Sequence, residues 1–472
     1  MQRKVQETCG FTNVYGGIQL KCQKNRKHQK SIRLCGCILI AAFFIVLLSG
    51  KLPEAARRRQ VRESDRQKQT YNNTYEKDVS KKQTDNTKIA KKNPKIRVLL
   101  MTTGYTRAFH TEVKVSGKEG LILRIGAKKV SVPAGKTVTI KASNRRLKKH
   151  TIKIRARKGT VQVKSIRRGY GTPSYSGTLE LKPAGKKIAL INELTVEDYL
   201  CAVVPSEMPV SYKLEALKAQ AICARTYALQ QQEDQRAKEF GADLDDSTSY
   251  QVYNNRQHGE KTDQAVKETA GLVMMQDGIL ADARYYSTSC GLDLHRDLSE
   301  ESVFAAFLQE NQIHSVEAEE PFYRWKTSIR MADLQEKTGW ETIENLQVTE
   351  RNEKGAVTTL EIMGQKKNTE QANERIDGEY QIRQFLALAD PVITLQDGST
   401  REGWQLLPSA FFYLQPVSEE GILTGYEVYG GGYGHGEGMS QNGARHMAEQ
   451  GEDCETILKN YYGEIELIRY SS

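Results

Sequence analysis

Residues 196–229 read VEDYLCAVVPSEMPVSYKLEALKAQAICARTYAL, and the rest of the chain is organised around them. In this stretch Glu207 stands between Pro205 and Pro209. Proline fixes φ and disfavours helical geometry in the residue before it, so we expect residues 206–208 to lie in a rigid loop outside any helix interior. A rigid loop is able to preorganise one catalytic acid. Taken alone, the stretch fits a surface glutamate in a structural turn better than it fits a catalytic acid.

An amphipathic helix is predicted directly after this loop. Ser211 is its predicted N-cap, and apolar residues then recur at helical period along one face: Leu214, Leu217, Ala221, Ala224 and Ala228. Such a helix would pack behind the loop and hold the acid in place.

The net charge of +11 on the 472 residues is located mainly in two segments, before about residue 95 and from Lys128 to Arg168. No nucleic-acid-binding motif accompanies these segments, so we expect no nucleic-acid partner. Of the eight cysteines, the four beyond residue 95 are scattered without paired spacing, which argues against a disulfide framework.

An uncharged run, LCGCILIAAFFIVLLSG at residues 34–50, predicts one N-terminal transmembrane helix. The basic tail of residues 1–33 is expected to stay in the cytoplasm, with everything after the span outside the cell membrane. Residues 51–95 are polar and basic with almost no apolar side chains, which predicts a disordered tether. These features together predict a single-pass membrane protein with an extracytoplasmic C-terminal part.

The fold class predicted for the remainder is α+β. Short alternating runs between residues 96 and 190 predict a small β-rich module, and a mixed α/β domain is expected over residues 191–472, with residues 297–425 the hardest to assign. Within the second domain we expect a helix from Glu260 to Thr269 and a strand from Tyr426 to Tyr429. Ser440 and Asp453 are predicted to cap two further helices.

Three segments carry a family resemblance. They are V-x-x-Y-L-x-x-V-V-P-S-E-M-P with L-K-A-Q-A-x-x-A-R-T-Y-A (196–228), Y-Y-S-T-S-C-G (285–291), and G-Y-G-H-G-E-G-M-S-Q-N-G-A-R-x-M-A (432–448). In this order they are similar to the stage II sporulation protein D family. The resemblance implies an exported peptidoglycan lytic transglycosylase, acting on glycan strands after an amidase has removed their peptides. It also implies an amidase and other engulfment or wall proteins as partners.

The resemblance places the catalytic acid at Glu207. It places the following residues near the substrate cleft: Gln220, Arg225, Tyr227, Ser287, Thr288, Ser289, Tyr433, His435, Met439, Ser440 and Gln441. Two departures from the family pattern stand out, namely Glu437 in the glycine-rich loop and Cys290 followed by Leu292-Asp-Leu294.

Each implied contact has a structural alternative. Arg225 could pair with an acid that ties its helix to a loop, and Gln220 could bond a buried backbone group. Tyr227 could be a core aromatic, His435 could lock its loop through backbone bonds, and Ser440 could simply cap a helix. No histidine–acid pair marks the hydroxyl-rich loop 287–289 as a nucleophile.

We predict no cofactor. Cys290 and His295 have a Cys-x4-His spacing that would suit a structural zinc together with His314, but the set is sparse for a zinc site. The alternative to an enzymatic function is that of a non-catalytic peptidoglycan-binding scaffold or amidase activator.

Overall fold

The computed structural model describes residues 94–232, 240–291, 298–309, 315–367 and 371–470. The first part is rich in strands whose side chains alternate between core and solvent, as in β6, where Ile152 and Ile154 are buried and Lys153 is exposed. The strands are β1 (Lys95–Leu99), β2 (Glu112–Gly117), β3 (Leu121–Ile125), β4 (Lys128–Val132), β5 (Val138–Lys141), β6 (Ile152–Ala156), β7 (Val161–Val163), β8 (Ser174–Tyr175), β9 (Thr178–Ala184) and β10 (Lys187–Thr195), with α1 (Arg145–Lys149) before β6.

These strands form two sheets within the described residues. One has the order β11-β1-β10-β9-β6-β3-β4 and includes β11 (Leu244–Asp245) from later in the chain, and the other has the order β5-β2-β7-β8. In the first sheet Val98 pairs with Asn192 of the antiparallel β10 and with Leu244 of the parallel β11. The β-rich region is therefore joined by backbone pairing to a strand of the predicted second domain.

The helix α2 (Val196–Glu207) packs on this sheet, and α3 (Leu214–Gln231) and α4 (Glu260–Glu268) pack on α2 and on each other. The same continuous core contains Val115 of β2, Leu190 of β10 and Ile222 of α3, and the described residues belong to one compact unit. The predicted boundary at residues 190/191 falls inside β10. The structure contains strands in the predicted β-rich region, and these strands share one core with the helices that follow them.

The prediction of a loop around Glu207 is wrong, because Ser206 and Glu207 lie in a helix. Thr195 caps α2 by accepting a hydrogen bond from the Asp198 backbone N–H, and the helix continues through Pro205 to end at Glu207. Pro205 cannot donate to the carbonyl four residues earlier, which usually weakens a helix. Here Val203, Val204 and Pro205 are buried, so core packing offsets the missing bond.

The helix α3 begins at Leu214 after Lys213, not after the predicted cap Ser211. The buried surface of α3 also extends beyond the predicted apolar stripe, because Gln220, Arg225 and Thr226 are buried together with the apolar residues. A helix buried on nearly every side lies at the centre of its domain. Small side chains such as Ala221 and Ala224 allow the neighbouring elements to approach it closely.

The middle of the chain forms a second region with its own core, which includes Trp325, Leu360 and Val428. Its helices are α5 (Glu301–Gln309), α6 (Met331–Lys337) and α7 (Glu379–Ala387). Its strands are β15 (Trp325–Arg330), β16 (Trp340–Arg351), β17 (Val357–Lys366), β18 (Gln371–Asp377), β19 (Ile393–Leu395), β20 (Thr400–Arg401), β21 (Phe412–Glu419) and β22 (Ile422–Gly430). Among the described residues they form the sheets β20-β19-β15-β22-β21 and β16-β17-β18.

The chain enters this region and returns from it at one place. The short strands β14 (Tyr285–Tyr286) and β23 (Met439–Ser440) pair in parallel, with Tyr285 opposite Met439. The helices α8 (Gln441–Glu449) and α9 (Cys454–Tyr462) come next, and β24 (Glu466–Arg469) pairs with β12 (Leu272–Gln276), which also pairs with β13 (Ile279–Leu280). The chain segments on either side of the middle region are thus joined next to α3.

No helix among the described residues is long and apolar enough to cross a membrane. The predicted cytoplasmic tail and transmembrane helix, and all of the predicted tether except its last two residues, lie before residue 94, outside the described residues.

Candidate functional site

Glu207 is the last residue of α2, and its surroundings enclose the carboxyl group. The residue as a whole remains partly exposed. The backbone N–H of Val252 donates to its Oε1 at 2.5 Å, and the Tyr285 hydroxyl forms a second hydrogen bond with the carboxyl. The carboxyl therefore has fixed partners from two distant segments.

Burial raises the pKa of Glu207 to about 7, against the lowering effect of the two hydrogen bonds. The position at the C-terminal end of α2 acts in the same direction, because the negative end of the helix dipole disfavours a carboxylate. A carboxylic acid with this pKa holds its proton near neutral pH and can exchange it, which is what a general acid requires.

A buried network orients Tyr285. Gln251 donates from Nε2 to the Tyr285 hydroxyl at 3.1 Å and to the Ala224 carbonyl at 3.2 Å, and its Oε1 accepts from the Tyr199 hydroxyl at 3.0 Å. No sequence pattern singled out Gln251 or Val252, because the segment that carries them reaches Glu207 only through the fold. Tyr227 is partly buried beside the hydroxyls of Tyr199 and Tyr285, so it stays a candidate for contact with substrate.

The N-terminus of α8 binds the end of α2. Gln441 donates from Nε2 to the Glu207 carbonyl and to Gln220 Oε1, both at 3.2 Å. Gln220 is fully buried, so it supports Gln441 from behind and does not face a cleft. Two predicted binding residues thus fix the helix end that carries the acid.

The hydroxyl-rich loop 287–289 pairs with the glycine-rich loop 430–438. Tyr433 donates its backbone N–H to Thr288 O at 2.8 Å, and its carbonyl accepts from the N–H groups of Ser287 and Thr288 at 3.1 Å. Asn442 of α8 donates to Thr288 Oγ1 at 2.9 Å. The two loops therefore form one connected wall that continues into α8.

Glu317 is a buried carboxyl within this wall that no sequence pattern indicated. Its Oε2 accepts from the Ser289 N–H at 2.9 Å and from the Ser440 hydroxyl at 2.7 Å. Burial raises its pKa to about 7, opposed by these donors. Ser440 is itself fully buried and also caps α8 through the Gly443 N–H, so the predicted capping role is the one observed.

His435 is held by the backbone. The Glu437 N–H donates to His435 Nδ1 at 3.1 Å, and the ring is also hydrogen-bonded to the Tyr285 backbone. Burial and nearby Arg284 lower its pKa to about 4, so the ring is neutral at neutral pH. These contacts favour the loop-locking alternative over proton transfer.

Glu437, which departs from the family pattern in the glycine-rich loop, forms an ion pair. Its Oε2 lies 2.6 Å from Lys354 Nζ, which comes from the turn between β16 and β17. The middle region of the chain thus contacts the glycine-rich loop through a charge pair.

Two predicted contact residues lie in the interior. Arg225 is fully buried and pairs with Glu197 through Nε–Oε1 at 2.9 Å and Nη2–Oε2 at 2.8 Å, which favours the ion-pair alternative. Met439 is also fully buried, with its sulfur 4.0 Å from Cys223 Sγ. Both side chains stabilise the scaffold from positions that a substrate does not reach.

The zinc candidates are only partly covered by the structure. Cys290 is buried, which raises the pKa of its thiol to about 12, whereas His295 and His314 lie outside the described residues. Within the described ranges, no group of three or more His, Cys, Asp or Glu side chains could hold a metal ion.

Two models of known protein families match parts of this chain. One, described as a stage II sporulation protein, matches residues 184–276, and the other, a domain of unknown function, matches residues 277–438. The first match contains Glu207, α3 and Gln251. The second begins before β14 and ends within the glycine-rich loop.

Several known proteins are similar over a longer range. An uncharacterized protein of Brachyspira hyodysenteriae is 30% identical over 298 residues, covering 63% of this chain and 73% of the relative. Stage II sporulation protein D of Bacillus amyloliquefaciens is 27% identical over 297 residues, covering 59% and 75%. The amidase enhancer of Bacillus subtilis is 28% identical over 301 residues, or 57% of this chain and 40% of the enhancer. From these matches and the segments around Glu207, the chain belongs to the stage II sporulation protein D family.

Proposed function

We propose that this chain is an exported peptidoglycan lytic transglycosylase that cleaves peptide-stripped glycan strands and leaves 1,6-anhydro-N-acetylmuramic acid ends. The observation that carries the proposal is the Glu207 carboxyl, which is enclosed at the end of α2 with a pKa of about 7. Raised carboxyl pKa values of this kind are typical of general acids in glycan-cleaving sites.

One acid is enough for this reaction. Hydrolytic glycosidases need a second carboxylate as nucleophile or base. The carboxyls of Glu317 and Glu437 are engaged with Ser440 and Lys354, so neither is placed as a free partner of Glu207. In a lytic transglycosylase the substrate supplies the nucleophile, and intramolecular attack gains from proximity.

The steps assigned to Glu207 depend on its proton. The protonated carboxyl donates to the glycosidic oxygen as the bond to the anomeric carbon breaks. The resulting carboxylate then removes the proton from the 6-hydroxyl of N-acetylmuramic acid, whose oxygen closes on the anomeric carbon. The acid form is regenerated and no water is consumed. Val252 and Tyr285 stabilise the carboxylate between the two steps, while burial returns the group to its acid form.

The proposal also includes the location of the protein in the cell and the process in which it acts. The uncharged run at residues 34–50 would anchor the protein in the cell membrane with the described residues outside, facing the wall. The names of two relatives mention sporulation and an amidase, and the proposal includes a role in spore engulfment together with an amidase and other wall proteins.

A second candidate is a non-catalytic peptidoglycan-binding scaffold or amidase activator. The similarity to a protein named amidase enhancer favours it. Such a protein would keep the wall formed by the two loops but would not need a proton on Glu207.

Product analysis separates the two. Purified full-length protein is incubated with peptide-stripped glycan strands, and mass spectrometry detects anhydro ends, which lack one water relative to hydrolytic ends. We expect anhydro products from the wild type and from Glu452→Gln, an exposed control, but none from Glu207→Gln. Strand binding without products from any variant would refute the enzyme and favour the scaffold.

A further inference from the structure

Three aromatic side chains cluster beside the wall formed by the two loops. The Tyr433 ring stacks on Phe322 with centroids 4.6 Å apart, and Trp404 meets Phe322 and Tyr433 edge-on at 6.0 and 5.9 Å. Tyr433 is 37% exposed, and the other two are partly exposed. We call Phe322, Trp404 and Tyr433 the aromatic platform. Contiguous aromatic surface left in water is typical of a ligand site.

The backbone around the platform is held in place. Gly432 donates its N–H to Phe322 O at 2.8 Å, directly before Tyr433 pairs with Thr288. Trp404 donates from Nε1 to Arg401 O at 3.2 Å. A platform already ordered in this way loses little conformational entropy when it binds.

The platform is continuous with the proposed catalytic site. Tyr433 is paired to Thr288, Thr288 accepts from Asn442, and the neighbouring Gln441 donates to the Glu207 carbonyl. These contacts place the platform and the acid along one connected wall.

Resting on the proposed function, we propose that the platform is a subsite that binds one N-acetylhexosamine ring of the glycan, away from the bond being cleaved. A pyranose ring has an apolar C–H face and a polar rim, which matches an aromatic surface with a polar edge. Within the described residues the Tyr433 hydroxyl has no hydrogen-bond partner, so it is available to the sugar rim. Because Phe322 and Trp404 come from residues 277–438, this assigns a role in glycan binding to the domain of unknown function.

Tryptophan fluorescence tests the subsite directly. The chain has three tryptophans, and Trp325 and Trp340 are 3% and 2% exposed, so a ligand on the platform should affect mainly Trp404. The full-length Glu207→Gln protein, which should not turn over substrate, is titrated with N-acetylglucosamine oligomers. We expect a saturable emission change that persists in a Trp340→Phe background and disappears with Trp404→Phe.

Affinity gives the second measurement. By calorimetry with the same oligomers, Trp404→Ala and Tyr433→Ala should each bind roughly tenfold more weakly, a loss common for aromatic anchors. Tyr433 is exposed enough that its removal should leave the fold intact, which circular dichroism checks. Unchanged affinity in a folded Tyr433→Ala protein, or an emission change without Trp404, would overturn the subsite.

The outcomes distinguish the subsite from the enzyme. Cleavage that requires Glu207, combined with oligomer binding that is insensitive to Trp404 and Tyr433, would remove the subsite alone. Binding that depends on the platform without any anhydro product would remove the enzyme and leave the platform as a wall-binding site.

Discussion

Replacing Tyr285 with phenylalanine should raise the pKa of Glu207 above its value of about 7. The Tyr285 hydroxyl stabilises the charged carboxylate, so losing it favours the protonated form. A hydrogen bond to a charged group contributes about 1.5 to 3 kcal/mol, and about 1.4 kcal/mol corresponds to one pKa unit. With the Val252 N–H still in place, we expect an increase of about one to two units.

The measurement is a carbon-13 carboxyl titration by NMR, in which Glu207→Gln identifies the Glu207 signal by its absence. If the chain is the proposed enzyme, the alkaline limb of its pH–rate profile should move in the same direction, because the acid must be protonated to begin the reaction. Tyr413→Phe is the matched control, since it removes a hydroxyl bonded to Gln309 at 2.9 Å in the middle region.

A Glu207 titration that stays at the wild-type pH in Tyr285→Phe would show that the hydroxyl does not stabilise the carboxylate. A titration that moves to lower pH would contradict the sign of the effect. A shift of similar size in Tyr413→Phe would mean that the change is not local.

Two further substitutions test the scaffold. Arg225→Met should lower the free energy of unfolding in urea by about 3 kcal/mol, since it leaves Glu197 without its buried partner; no loss would mean the pair is not stabilising. Gly438→Ala should lower the melting temperature far more than Gly451→Ala. Both glycines have positive φ, but a Cβ at Gly438 would clash with the Arg284 carbonyl oxygen whereas Gly451 has open space, so equal losses would contradict this reasoning.

Local signals in the sequence predicted the helices best. Ser440 and Asp453 were expected to cap helices, and their side chains accept from the Gly443 and Thr456 N–H groups. The predicted helix from Glu260 to Thr269 is observed as α4, one residue shorter. A cap depends on residues within one turn, so the sequence contains nearly all the information that determines it.

The sequence-based predictions fail for features that depend on contacts between distant parts of the chain. Pro205 predicts a break in α2, but burial against the core holds the helix together. The motif around Glu207 predicts this residue as the catalytic acid. Val252, which bonds to the Glu207 carboxyl, Gln251, which bonds to Tyr285, and the buried Glu317 have no local signature because they meet the site only after the chain has folded back.

The wall beside Glu207 is built from segments far apart in the chain, since the Asn442 side chain donates to the hydroxyl of Thr288, 154 positions earlier. Closing so long a loop costs entropy that is recovered only when the intervening sheets have formed. We therefore expect this pairing to be a late event in folding. A chain that emerges N-terminus first would carry Glu207 long before it has the second half of the wall. The order of synthesis would then delay the assembly of the candidate site until almost all of the protein is in place.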